Sequence, residues 1–171
     1  MRIAAILCTL SLLAAAGCGS GKTSHVGDAT VTTSSDDKTT TVSVGDKTVT
    51  TGSNAVDASK LGAPVYPGAT ADENGGSLSF SGSEGSSDTA MFKTPDSFDA
   101  VYQYYKAQLP AGSEKMKLAM NGSSTASFQT GDPDKDFVSV TVMAKDGEPG
   151  TTLTINHTVK VAAPASASPA P

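Results

Sequence analysis

Apolar side chains recur along residues 61–161 with two different periods, and the switches between them predict the elements. In "SLSFSG" (77–82), Leu78 and Phe80 alternate with serines, as a half-buried strand requires. "DTAMFK" (88–93) reads as a second strand, reached through the turn chemistry of "GSEGSS". The period then changes. In "TPDSFDAVYQYYKAQLPAG" (94–112), Phe98, Val101, Tyr102, Tyr105 and Leu109 recur at helical spacing. At about 100° per residue they fall within a stripe about 100° wide. Thr94 suits the cap of this helix, Pro95 its first position and Asp96 its positive end; Pro110 and Gly112 stop it. Period two returns in "KMKLAM", "STASFQT", "DFVSVTVMAK" and "TTLTINHTVKV". Val138, Val140 and Val142 share one strand face, and Leu153, Ile155, His157, Val159 and Val161 share another. "DGEPG" joins the last two runs as a hairpin. Two strands, a helix and four strands with short connections predict an α+β domain over 61–161: a small antiparallel sheet with one amphipathic helix packed on one face.

Upstream, the pattern thins. Residues 18–60 are rich in Thr, Ser, Gly and Asp and contain an echo, "GDATVTT" at 27–33 and "GDKTVTT" at 45–51. The β-branched runs favour strands, but the large apolar side chains from 27 to 51 are Val31, Val42, Val44 and Val49. Burying four valines does not offset the ordering entropy of such a stretch. The expectation is a flexible polar stalk preceding the domain, with an ordered ribbon as the alternative. The stalk leads into "GAPVYPGAT" (62–70), where Pro67 and Gly68 suit the central positions of a type II turn and Val65 and Tyr66 point inward. Beyond the domain, "AAPASASPAP" (162–171) has the composition of a disordered Ala/Pro-rich tail.

The first residues have a third pattern. Arg2 precedes a nearly unbroken apolar run, Ile3 to Ala16, followed by small residues and Cys18. A charged start, a short apolar run and a small-residue cleavage region describe an export signal over 1–17. The run falls short of the roughly 20 residues that span a bilayer. "LAAAGC" (13–18) resembles the lipobox of bacterial lipoproteins, with Ala15 standing where leucine is commonest in that family. The resemblance implies that Cys18 becomes the N-terminal, lipid-bearing anchor, with palmitate or a similar acyl chain. Gly19, in place of the aspartate associated with inner-membrane retention, implies an outer-membrane location facing the periplasm if the cell has two membranes. Several acyl chains are needed for firm anchoring, since one gives only marginal binding. "YPGA" (66–69) resembles an opening found in uncharacterised envelope lipoproteins and implies no activity.

Charge narrows the partners. The chain has 12 Lys+Arg against 17 Asp+Glu and a net charge of −5. Loss of the signal removes Arg2, the one arginine, and leaves −6. A chain without the bidentate arginine fork and without a basic stripe is not built for nucleic acid. With Cys8 gone and Cys18 lipidated, the mature chain has no free thiol, thiolate metal site or disulfide.

Candidate chemistry is sparse. "DPDKD" places Asp132, Asp134 and Asp136 like the start of a calcium loop, but Phe137 and Met143 stand where glycine and glutamate are required. His25 and His157 are too far apart in sequence to suggest a metal pair, and no G-x-S-x-G elbow occurs. No catalytic residue, metal ligand or cofactor is assigned. Tyr104, off the helix stripe, and Tyr66 are the candidates for contacting a partner. The expectation is a non-enzymatic, membrane-anchored envelope lipoprotein that binds a protein partner or aids envelope assembly. The alternative is a lipoprotein that binds a small ligand, a lipid or a cell-wall fragment.

Overall fold

The computed structural model describes residues 21–161 except 35, 37, 54 and 73–75. The signal, Cys18 and the Ala/Pro-rich tail lie outside the described residues. Four strands come first: β1 (Lys22–Val26), β2 (Ala29–Thr33), β3 (Thr39–Val44) and β4 (Lys47–Gly52). A 3₁₀ turn (Ala58–Lys60) leads to β5 (Thr70–Ala71), β6 (Ser77–Gly82) and β7 (Gly85–Thr94). The helix α1 (Phe98–Gln108) follows, then β8 (Glu114–Met120), β9 (Ser123–Asp132), β10 (Asp136–Lys145) and β11 (Thr151–Lys160).

All 11 strands belong to one antiparallel sheet, ordered β1-β2-β3-β4-β6-β7-β11-β10-β9-β8, with β5 pairing β7. Of the described residues 57% are strand and 10% helical, so the fold is β-rich. The expectation of an α+β domain with a small sheet behind a polar stalk is corrected on both counts. The supposed stalk supplies β1–β4, and β4 pairs with β6 from Thr48↔Ser81 to Gly52↔Ser77. Burial in a core was the wrong measure for these residues. None of the β1–β4 side chains is buried, and order comes from ladder bonds and cross-strand pairs instead. Val31 faces Val42, Val42 faces Val49, and Val49 faces Phe80. On the other face, hydroxyls pair at Thr41–Thr50 (3.1 Å) and Ser43–Thr48 (3.2 Å). The sequence echo is the same hairpin built twice, β1–β2 and β3–β4, each closed by Gly-Asp.

The core occupies one face of the other half of the sheet. Ala90 and Phe92 of β7, Ala126 and Phe128 of β9, Val138, Val140 and Val142 of β10, and Leu153 and Ile155 of β11 are buried there. Val101, Tyr102 and Tyr105 of α1 close over them, together with Leu61 and Ala63 from the segment after the 3₁₀ turn. The helix stripe therefore points as the sequence predicts, but its start does not. Ser97, not Thr94, is the N-cap and accepts from the Ala100 N–H at 3.4 Å. Thr94 ends β7, paired with Thr151, so the chain is still extended where the cap was expected.

Edge strand β8 presents a second departure. A register shift between Glu114 and Met116 breaks its ladder with β9, as a β-bulge does. Beyond the shift Met116, Leu118 and Met120 pair with Ser127, Thr125 and Ser123 and share the face away from the helix, 45%, 44% and 57% exposed. Lys117 points the other way and lies 3.8 Å from the centroid of the Tyr102 ring, a cation–π contact.

The two halves should respond differently to truncation. Phe128→Ala is expected to cost ~3–5 kcal/mol, as a large buried aromatic does. Val42→Ala removes one cross-strand partner and should cost less than about 1 kcal/mol. Urea unfolding of both variants checks this; equal losses would mean that the valine row is a true core.

Candidate functional site

Three places carry side chains that could act. The first is the aromatic corner that holds both tyrosines singled out from the sequence. Pro67 and Gly68 form the expected turn, with the Ala69 N–H donating to the Tyr66 carbonyl at 3.0 Å and Gly68 at φ 79°. The turn presents Tyr66 edge-on to Tyr104, with centroids 5.1 Å apart and planes at 80°. Tyr104 meets Tyr105 in the same way at 5.2 Å. The Tyr66 hydroxyl donates to Asp96 Oδ2 at 2.7 Å, and the Tyr105 hydroxyl donates to the Pro64 carbonyl at 3.0 Å. Losing the Tyr66 proton beside that carboxylate is unfavourable, so its hydrogen bond to Asp96 raises the phenol pKa, with burial adding to it. Burial likewise pushes the Tyr105 hydroxyl up. Tyr66 and Tyr104 are thus brought together, half-buried, and they fasten the segment 61–69 to the helix. Helical periodicity could not show this, because the ring that Tyr104 meets comes from a loop.

The second place is a cleft of about 300 Å³ on the helix side, lined by Lys60, Ser79, Ser81, Ser86, Asp88 and His157 among others. Strand register puts Ser79, Asp88 and His157 in one row. His157 Nδ1 lies 2.5 Å from the Lys60 carbonyl, and Nε2 lies 2.8 Å from Asp136 Oδ1. A carbonyl and a carboxylate can only accept, so these two contacts favour the doubly protonated, cationic imidazole. Burial opposes that charge, but the Lys60 carbonyl and the Asp136 and Asp88 carboxylates outweigh it and raise the pKa above its ordinary 6.5. In that cationic form the ring has no lone pair with which to accept a proton. Gly62 permits the close approach, since a Cβ there would lie 2.6 Å from Val138 Cγ2 and 3.3 Å from the His157 ring. Asp88 is 7% exposed, and its Oδ1 has no hydrogen-bond partner among the described residues. The sequence signal for this site is an acid in phase with Ala90 and Phe92, which was not drawn out of "DTAMFK".

The acids of the 132–136 loop are tied down rather than gathered. Asp132 pairs with Lys135 at 3.4 Å, Asp134 with Lys160 at 3.5 Å, and Asp136 with His157. Among the described residues no group of three or more His, Cys, Asp or Glu side chains could hold a metal ion.

The third place is the sheet face away from the helix. Register aligns Leu118, Thr125, Met143, Thr152 and Lys93 in one row across five strands. Met91 and Met116 flank it in the next row. Here Met143 is 41% exposed and helps line a concavity of about 400 Å³ with Lys93, Lys145 and Pro149. Among the described residues no element covers this face. Flexible, polarizable methionines suit surfaces that adapt to a partner.

The His157 clamp makes a pH prediction. Because its folded-state pKa is raised, its stabilisation is fully present below about pH 6.5 and is lost as the pH rises through the folded value. The Tm difference between the native chain and His157→Gln should therefore shrink from pH 5.5 to pH 9; a difference that grows with pH would reverse the assignment of charge. No family model, curated protein or solved structure matches the chain.

Proposed function

We propose that the chain is a non-enzymatic cell-envelope protein, held to a membrane by lipid on Cys18, that binds an envelope protein partner through the open face of its sheet. The observation that carries this reading is the row of exposed apolar side chains, Met116, Leu118, Met120 and Met143, on a face that no other element among the described residues covers. Side chains of this size left in water cost solvation that a partner would recover. The β8 edge adds unpaired backbone donors and acceptors beside them. Tyr66 and Tyr104, half-exposed beside the helix, form the second contact of this reading. Neither membrane attachment nor location facing the periplasm of a two-membrane cell is carried by the described residues; both rest on the lipobox resemblance.

A small-ligand reading has one observation in its favour, the buried Asp88 carboxylate with an unpartnered oxygen in the cleft. A ligand bearing a hydroxyl or ammonium donor would satisfy it.

The two readings separate experimentally. Cross-linking in intact cells, with the Cys18→Ala chain as the unanchored control, should capture one abundant protein from the native chain. Leu118→Glu should abolish that capture while changing stability by no more than about 0.5 kcal/mol, as exposed substitutions do. Capture that survives Leu118→Glu but fails with Tyr104→Ala would move the interface to the aromatic corner. Capture that survives both would sink the sheet-face reading.

A further inference from the structure

The ribbon β1–β4, with β6, is amphipathic in a way that its role in the sheet does not require. Because paired residues of an antiparallel ladder share a face, the register sorts every side chain. One face carries Val26, Ala29, Val31, Val42, Val44, Val49, Leu78 and Phe80, interspersed with Ser24, Thr33, Thr40 and Thr51. The opposite face carries Thr23, Thr32, Thr41, Thr50 and Ser79 in one row and His25, Thr30, Ser43, Thr48 and Ser81 in the next. All the large apolar side chains of these five strands thus lie on one side, and no element among the described residues packs on them. Val26 is 65% exposed, Val44 48% and Leu78 44%.

Charge and position say what covers this face. The strands β1–β4 and β6 contain no acid; their charged side chains are Lys22 and Lys47, and both fall on the apolar face. The acids between Lys22 and Gly52, Asp28, Asp36, Asp37 and Asp46, all fall between the strands in sequence. Lysines fringing an apolar surface suit an anionic lipid headgroup layer. The distance to the anchor is also short. Lys22 is four residue steps beyond Cys18, a span of at most about 14 Å when fully extended. With β1–β4 ordered, no long flexible stalk lifts the sheet away from the membrane.

We propose that the valine face of the β1–β4 ribbon lies on the lipid surface, so that the anchor and the ribbon together set the orientation of the protein. This rests on the lipid-anchor reading of Cys18. The ribbon's orientation is compatible with a partner on the methionine face. Sheets twist by roughly 20° per neighbouring pair, so the seven steps from β2 to β9 turn the same face through about 140°. The surface that looks toward the membrane at the ribbon looks away from it at β8–β10.

The chain has no tryptophan, so a single introduced one reports without background. Full-length Val44→Trp and Ser43→Trp chains, one probe on each face, would be purified from membranes and reconstituted into phosphatidylcholine–phosphatidylglycerol vesicles with bromine on the acyl chains. Intact mass establishes separately whether Cys18 carries lipid. The expected result is a blue-shifted emission and loss of fluorescence for Val44→Trp, with little change for Ser43→Trp. Val26→Trp serves as a second apolar-face probe should Val44→Trp fail to fold. Unquenched emission from both faces, with lipid present on Cys18, overturns the ribbon proposal and leaves the anchor standing. A mass without lipid removes the anchor reading, and quenching in added vesicles then decides the ribbon alone. A blue shift without vesicles, accompanied by a doubled mass in solution, overturns the proposal in favour of a second copy of the chain covering the face.

Discussion

One short helix has to serve a very wide sheet. An 11-residue helix is about 16 Å long, whereas ten strands side by side at about 4.8 Å cover roughly 43 Å. The helix, aided by Leu61 and Ala63, therefore shelters the inner face of β7 and β9–β11 and little else. The core is confined to that half. The rest of the sheet is a single layer, wetted or covered from outside on both faces. The exposed methionines, the valine row and the open β8 edge are all results of this one shortage of cover.

A single layer must find its stability within its own plane. In β1–β4 it does so through apolar neighbours on one side and hydroxyl pairs on the other, with two-residue Gly-Asp turns fixing the register. Each such pair is worth a fraction of a kcal/mol, so the ribbon depends on being continuous with β6. Between the ribbon and the core, the His157 cation ties the 3₁₀ turn to β10 through the Lys60 carbonyl and Asp136. The tyrosine corner does the same for the segment that follows.

Much of the core half was legible. The helix stripe, the inward valines of β10, and Leu153 and Ile155 of β11 follow from period alone, because there each buried position has a sheltered partner. The ribbon was not legible for the opposite reason. Val31, Val42 and Val49 are too few to make a core, and sequence does not reveal that they meet one another and Phe80 in a row. In β8 the period was legible but not which face it presents, since one shifted residue at the bulge exchanges the faces of lysine and methionine. Of the candidate sites, Tyr66 and Tyr104 were named but not their contact, and Asp88 was passed over because its neighbours come from strands far away in sequence.

Strand order also gives the molecule a mechanical character. A load between the chain's N-terminal end and a partner bound at β8 runs across the sheet, along the hydrogen bonds. In that geometry a ladder opens one pair at a time, beginning with Lys22 and Thr33. The ribbon would yield hairpin by hairpin, releasing about 100 Å of chain from residues 22–52 at roughly 3.4 Å each. The helix-covered half lies behind β6 and would feel the full force only after that slack was spent. The strands with no buried side chain thus stand first in the line of such a load.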